Sequence, residues 1–212
     1  DEFDRRVKKL IPDPFLADML MEISYNETKE TSSLPSKRYA YELVLEGKGG
    51  KDELNLALVY SYEHLGESEL IQILERALML FPQDSGYQND LGYTLLESLP
   101  WESKRSFSPQ EMQDLQKAER LIISAYNQDS QSASLMDSRL WLHYRKAEYP
   151  EALALWEKLL EKHPDLELNG EILYHGAMIM LKTGNIDKAK YYLQMMPEDD
   201  PFFRKLAGAL TE

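Results

Sequence analysis

Between residues 15 and 25 the apolar positions Phe15, Leu16, Met19, Leu20 and Ile23 fall at i, i+1, i+4, i+5 and i+8. That spacing lines one face of a helix. Ahead of it, mixed charges and the early prolines Pro12 and Pro14 predict an extended lead-in over residues 1–14. Residues 26–37 are polar, include Pro35, and read as a loop. Residues 39–46 read as a short helix closed by Gly47-Lys48-Gly49-Gly50, because glycine suits a helix C-terminus. From Asp52 onward the pattern becomes a run of paired helices. The periodicity predicts them over 52–64, 67–81, 84–98, 108–127, 133–146, 149–163, 168–183 and 186–196. A last amphipathic helix is expected over 200–210, with Phe202, Phe203, Leu206 and Leu210 on one side. No segment alternates apolar and polar residues long enough to predict a strand, so the expected class is all-α.

Three of these segments align with one another. They are Lys117-Ala118-Glu119-Arg120-Leu121, Glu151-Ala152-Leu153-Ala154-Leu155-Trp156 and Lys188-Ala189-Lys190-Tyr191-Tyr192. Ala118 and Ala152 stand 34 positions apart, and Ala152 and Ala189 stand 37 apart, with a loop extension near Asp165. A 34-residue period is that of a helix–turn–helix repeat. Two antiparallel helices approach closely only where side chains are small, which explains the recurring alanine. Each pair leaves an apolar face that the next pair covers.

On these residues the chain resembles the tetratricopeptide-repeat family, in a variant common in bacteria. Tyr149, Ala152, Trp156 and Pro164 match the second half of one repeat. Leu74, Ala77 and Pro82 match an earlier one, Leu91-Gly92 opens the repeat that Ala118 and Ala125 finish, and Gly184 and Ala189 match the last. About 14 residues are inserted between Gly92 and Ala118, including Pro100, Trp101, Ser106 and Pro109. Arg139-Leu140 and Gly176-Ala177 replace the usual Leu-Gly. The resemblance implies antiparallel helix pairs stacked in a right-handed superhelix over 52–196. Residues 1–51 then form a lead-in with atypical capping helices, and 197–212 a C-terminal capping helix.

In this family the concave face of the first helix of each pair binds peptides. Carried over, that face holds Asp137, Trp141, Tyr144 and Arg145 at i, i+4, i+7 and i+8. The equivalent positions are Asn89 and Tyr93 before it, and Tyr174, Met178 and Lys182 after it. Aromatic residues, Met and Arg are enriched where proteins bind one another. The same spacing also suits packing against a neighbouring helix, so the stripe is groove or core. A carboxylate clamp, known in some relatives, fits poorly, because Asp137 stands where a donor is wanted.

Charge narrows the partners. The formal net charge is −13, with a sequence pI near 4.8. Such a chain is repelled by phosphate backbones and anionic lipid, so the expected partner is a protein or peptide, not nucleic acid. With 43% hydrophobic and 29% charged residues, the composition is that of a soluble globular protein. No apolar run is long enough to span a bilayer. There are no cysteines, which excludes disulfides, thiolate metal sites and cysteine nucleophiles.

Catalysis and cofactors find no support in the residues. His64, His143, His163 and His175 form no i, i+4 pair, and no metal site is expected. Gly50-Lys51 lacks the glycine and hydroxyl residue of a phosphate loop, having Leu45 and Asp52 there. Asn26-Glu27-Thr28 is a formal glycosylation sequon. The function expected is a non-catalytic scaffold or adaptor that holds a partner segment in a concave groove. Two alternatives stay open: a self-associating component of a bacterial envelope assembly, and a regulatory domain of a larger enzyme. The atypical first helices and the Phe202-Phe203 helix resemble caps, which favours a monomer. The start at Asp1, the missing cysteines and the bacterial-type repeats favour a periplasmic or envelope location over the cytoplasm.

Overall fold

The computed structural model describes residues 34–101, 106–166 and 169–211. Among the described residues there are ten helices and no strand. They are α1 Leu34–Leu45, α2 Lys51–His64, α3 Glu67–Leu80, α4 Ser85–Glu97 and α5 Pro109–Gln128, then α6 Ala133–Arg145, α7 Tyr149–Lys162, α8 Gly170–Lys182, α9 Ile186–Met195 and α10 Pro201–Ala209. From α2 onward their ends lie within two residues of those the periodicity predicts. The lead-in over 1–14 and the helix expected over 15–25 lie outside the described residues. So does most of the loop expected over 26–37. Its last part needs correction, since α1 already begins at Leu34. Pro35 is compatible with that start, because the N–H it lacks would have no partner in a first helical turn. No helix among the described residues is long and apolar enough to cross a membrane.

The chain divides into two compact units, residues 1–87 and 88–212, with the division inside α4. In the first unit α1, α2 and α3 pack around Ala40, Val44, Leu54, Ala57, Leu58, Ile73 and Leu74, all buried. The end of α1 is closed by two backbone bonds, Lys48 N–H to Leu43 O at 2.9 Å and Gly47 N–H to Val44 O at 3.0 Å. This pattern requires a left-handed residue between them, and Gly47 takes it at φ 78°. Glu53 then reaches back to accept the Gly50 N–H at 2.7 Å and closes the start of α2.

The second unit is built from repeated hairpins. Three residues join α6 to α7, and three join α8 to α9, so each pair is antiparallel. Both turns use the same pair of bonds. In one, Glu148 N–H donates to His143 O and Ala147 N–H to Tyr144 O, each at 2.9 Å. In the other, Asn185 N–H donates to Met180 O at 2.8 Å and Gly184 N–H to Leu181 O at 3.2 Å. The left-handed position is Gly184 in the second turn, at φ 84°, but Ala147 in the first, at φ 60°. A Cβ there crowds the following carbonyl. Ala147→Gly is therefore expected to raise stability by about 0.5–1 kcal/mol, with the gain reduced by the freer unfolded glycine. Urea unfolding measures it, and a loss would show that the turn is unstrained.

The core of this unit contains Leu91, Ala118, Ile122, Met136, Leu140, Trp156, Leu159, Ala177, Ile179, Ala189 and Leu206, all buried. The alanines that set the repeat register, Ala118, Ala152 and Ala189, have no exposed surface. The last helix is fixed by Asp200, whose carboxylate accepts the Phe202 N–H at 2.8 Å, with Pro201 at the first helical position.

Candidate functional site

The first helices of three successive pairs, α4, α6 and α8, all carry predicted site residues. Their helical spacing brings those residues to shared faces, and the contacts between helices decide which are covered. Trp141 on α6 is completely covered. Its ring stacks on Tyr144 at 4.5 Å with a 2° tilt, and on His175 of α8 at 4.0 Å with a 19° tilt. Its indole N–H donates to the Glu97 carboxylate of α4 at 2.8 Å.

That carboxylate also receives Arg145. The guanidinium donates through Nε at 3.0 Å and Nη2 at 2.8 Å to Oε1, and through Nη2 at 3.0 Å to Oε2. The same guanidinium lies 4.8 Å from the Trp141 ring centre and 5.6 Å from that of Trp101. A planar cation held between aromatic faces gains from the ring quadrupoles. Arg145 is thereby held by three groups, the Glu97 carboxylate and the Trp141 and Trp101 rings.

A second line of bonds runs beside it. Asp137 faces His175 Nδ1 at 3.0 and 3.1 Å. His175 Nε2 lies 3.2 Å from the Tyr93 hydroxyl, which donates to Glu171 at 2.6 Å. Burial above all, then the nearby Glu171 and Glu97 carboxylates, push the Tyr93 hydroxyl far above the ordinary tyrosine range. It stays protonated and acts as a donor.

Above these two networks lies a cleft of about 270 Å³ lined by Trp101, Tyr144, Arg145, Tyr149, Tyr174, Met178 and Lys182. Five of the nine residues expected from the sequence thus line one cavity: Tyr144, Arg145, Tyr174, Met178 and Lys182. The other four do not line it. Asn89 is buried, with its Oδ1 unpaired, Asp137 and Tyr93 sit in the hydrogen-bonded line, and Trp141 lies wholly beneath the cleft. The first helices of the pairs supply five of the seven wall residues, Tyr144, Arg145, Tyr174, Met178 and Lys182, and the residues that support them. Helical spacing finds that face, but depth along it depends on the neighbouring helix.

Two cleft residues were not foreseen. Trp101 comes from the insert after α4, where its indole N–H donates to Leu96 O at 2.6 Å and its ring meets Phe107 edge-on at 5.1 Å. Tyr149 opens α7 and packs on Tyr144 at 5.7 Å. Two large aromatics, Trp101 and Phe107, in a mostly polar insert were the available signal. The supporting Glu97, Glu171 and His175 were also missed, because isolated charged residues on helices usually face solvent.

Residues 144–212 match the family model of the tetratricopeptide repeat. A solved structure of MamA (AMB-1) is 14% identical, with a TM-score of 0.49, covering 82% of this chain and 94% of that one. No curated protein matches the chain in sequence. Residues 144–212, from the end of α6 through α10, are thus similar to the tetratricopeptide repeat, and the described residues form antiparallel helix pairs with no strand.

Proposed function

We propose that this chain is a non-catalytic interaction module that holds a segment of another protein in the cleft formed by Trp101, Tyr144, Tyr149, Tyr174 and Met178. The observation that carries this reading is the lining itself. It combines four aromatic rings and a methionine with two cations and no carboxylate, on a chain of net charge −13. Arg145 is committed to Glu97, whereas Lys182 is exposed at the rim and makes no ion pair among the described residues. The partner segment that fits offers an apolar or aromatic side chain to the rings and a carboxylate to Lys182. Trp141 contributes indirectly, by stacking on Tyr144 and lying under the Arg145 guanidinium.

Peptides selected from a random library on the intact chain test this. Met178→Ala is expected to weaken selected peptides about thirtyfold, the effect of a central contact residue. Lys182→Glu should weaken them mainly through slower association, with the salt dependence reduced. Helicity and melting temperature should be unchanged in both. Selected peptides that bind both variants as well as the parent chain would place recognition elsewhere.

A second reading, self-association, is favoured by α9, where Ile186, Tyr191 and Met195 are 51%, 57% and 44% exposed. Light scattering over a concentration series separates the two, since only this reading requires mass to rise with concentration and to fall in Tyr191→Glu.

A further inference from the structure

The line Asp137–His175–Tyr93–Glu171 contains three linkages, and each requires a proton between its two heavy atoms. Ionised carboxylates at both ends only accept. Tyr93 supplies one proton and directs it to Glu171. A neutral imidazole supplies one more. Whichever ring nitrogen carries it, the other would point a lone pair at an oxygen that has no proton to offer. Three linkages would then share two protons, in a place where His175 is only 1% exposed and water cannot make up the difference.

We propose that His175 carries a proton on both ring nitrogens in the folded protein at neutral pH, so that a buried imidazolium fastens α4, α6 and α8 beneath the cleft. Nδ1–H then donates to Asp137, Nε2–H donates to the Tyr93 oxygen, and the Tyr93 O–H donates to Glu171. The charges favour the ring over either carboxyl as the holder. Glu97 from α4 is matched by Arg145 from α6. Asp137 from α6 and Glu171 on α8 itself have no other cation in contact among the described residues, and the imidazolium lies between them. From α7, Trp156 packs against Gly176 of α8 and donates its N–H to the Tyr192 hydroxyl of α9. Asp200, which caps α10, lies against Gly170, and Lys205 of α10 lies over the Phe202 ring. The Trp141 face stacked on the ring at 4.0 Å is the surface a cation prefers.

This inference does not depend on the cleft having a partner. Nitrogen NMR of the imidazole rings at neutral pH tests it, with the His175 signals assigned among the four histidines by their loss in His175→Gln. Two proton-bearing ring nitrogens are expected. One bare nitrogen in the parent protein would overturn the inference. Glu171→Gln gives a second readout. Its amide can donate to the Tyr93 oxygen, which frees the Tyr93 proton for Nε2. His175 should then need only its Nδ1 proton and appear neutral at the same pH. A ring still doubly protonated in that variant would show that the line of bonds does not set its charge, and would equally overturn the proposal.

Discussion

Trp156→Ala is expected to cost about 3–5 kcal/mol of stability in the second unit, the usual range for deleting a fully buried large aromatic side chain. Trp156 has no exposed surface. Its ring meets Tyr192 edge-on at 5.7 Å, and its N–H reaches the Tyr192 hydroxyl at 3.3 Å. Opposite it stands Gly176, which is also buried. A Cβ on Gly176 would lie 2.4–2.8 Å from three atoms of the indole. The indole therefore fills space that any other residue at 176 would occupy. Removing it leaves a cavity that α8 cannot close without shifting against α7 and α9.

The complementary change makes the prediction sharper. Gly176→Ala should also destabilise, by about 1–3 kcal/mol from overpacking, less a gain near 1 kcal/mol from better helix propensity. In the double variant the new methyl group enters the space the indole has left. The combined cost should fall below the sum of the two, by about 0.5–3 kcal/mol for residues in direct contact. Hydrogen exchange of the α7 and α8 amides reads this unit by itself, which matters in a chain of two compact units. A strictly additive pair would mean that the contact between ring and glycine does not organise the hairpins.

Gly176 also shows how the sequence pattern worked. Gly176-Ala177 stood as a departure from the usual Leu-Gly, because its glycine comes one position early. The structure gives the reason in Trp156, a wide ring that needs a bare backbone where it lands. At Leu91-Gly92 the pattern held and the contact is the usual one. A Cβ on Gly92 would meet Ile122 Cγ1 at 2.8 Å and Ala118 O at 3.1 Å. Gly92 and Ala118 touch although the insert lies between them, because part of that insert lengthens α5 and part forms the turn around Trp101. Helix positions were legible because each needs a continuous apolar stripe, and the hairpins because close packing demands small residues at a fixed period. The site was legible only as a helix face. Asp137 and Trp141 share that face with Tyr144 and Arg145. Whether a residue on it is wall or support is decided by Tyr93, Glu97 and His175, which arrive from other helices at separations no local period encodes.

Glu97→Ala is the second large effect expected, and it tests the support itself. One carboxylate accepts four hydrogen bonds, one from Trp141 and three from Arg145. Its removal leaves a covered indole N–H and a mostly covered guanidinium without their acceptor. The side chains of Arg145 and Glu97 are 14% and 29% exposed, so water can recover part of the loss. The cost should therefore be about 2–3 kcal/mol, as for charged hydrogen bonds, and below the range for a fully buried ion pair broken on one side. Glu97→Gln should fall between, since its carbonyl oxygen can still accept from Trp141 and Arg145 as Oε1 does, while the bond to Oε2 and the carboxylate charge are lost. Trp141→Phe keeps a ring in the stack but removes the N–H, so a cycle of Glu97→Ala with Trp141→Phe isolates that one bond. Hydrogen exchange in α4 and α6 measures each variant. A cost below about 0.5 kcal/mol would put the Glu97–Arg145 pair among ordinary surface ion pairs. The cleft wall would then owe its position to the aromatic stack alone, and Arg145 would be free to meet a partner's carboxylate beside Lys182.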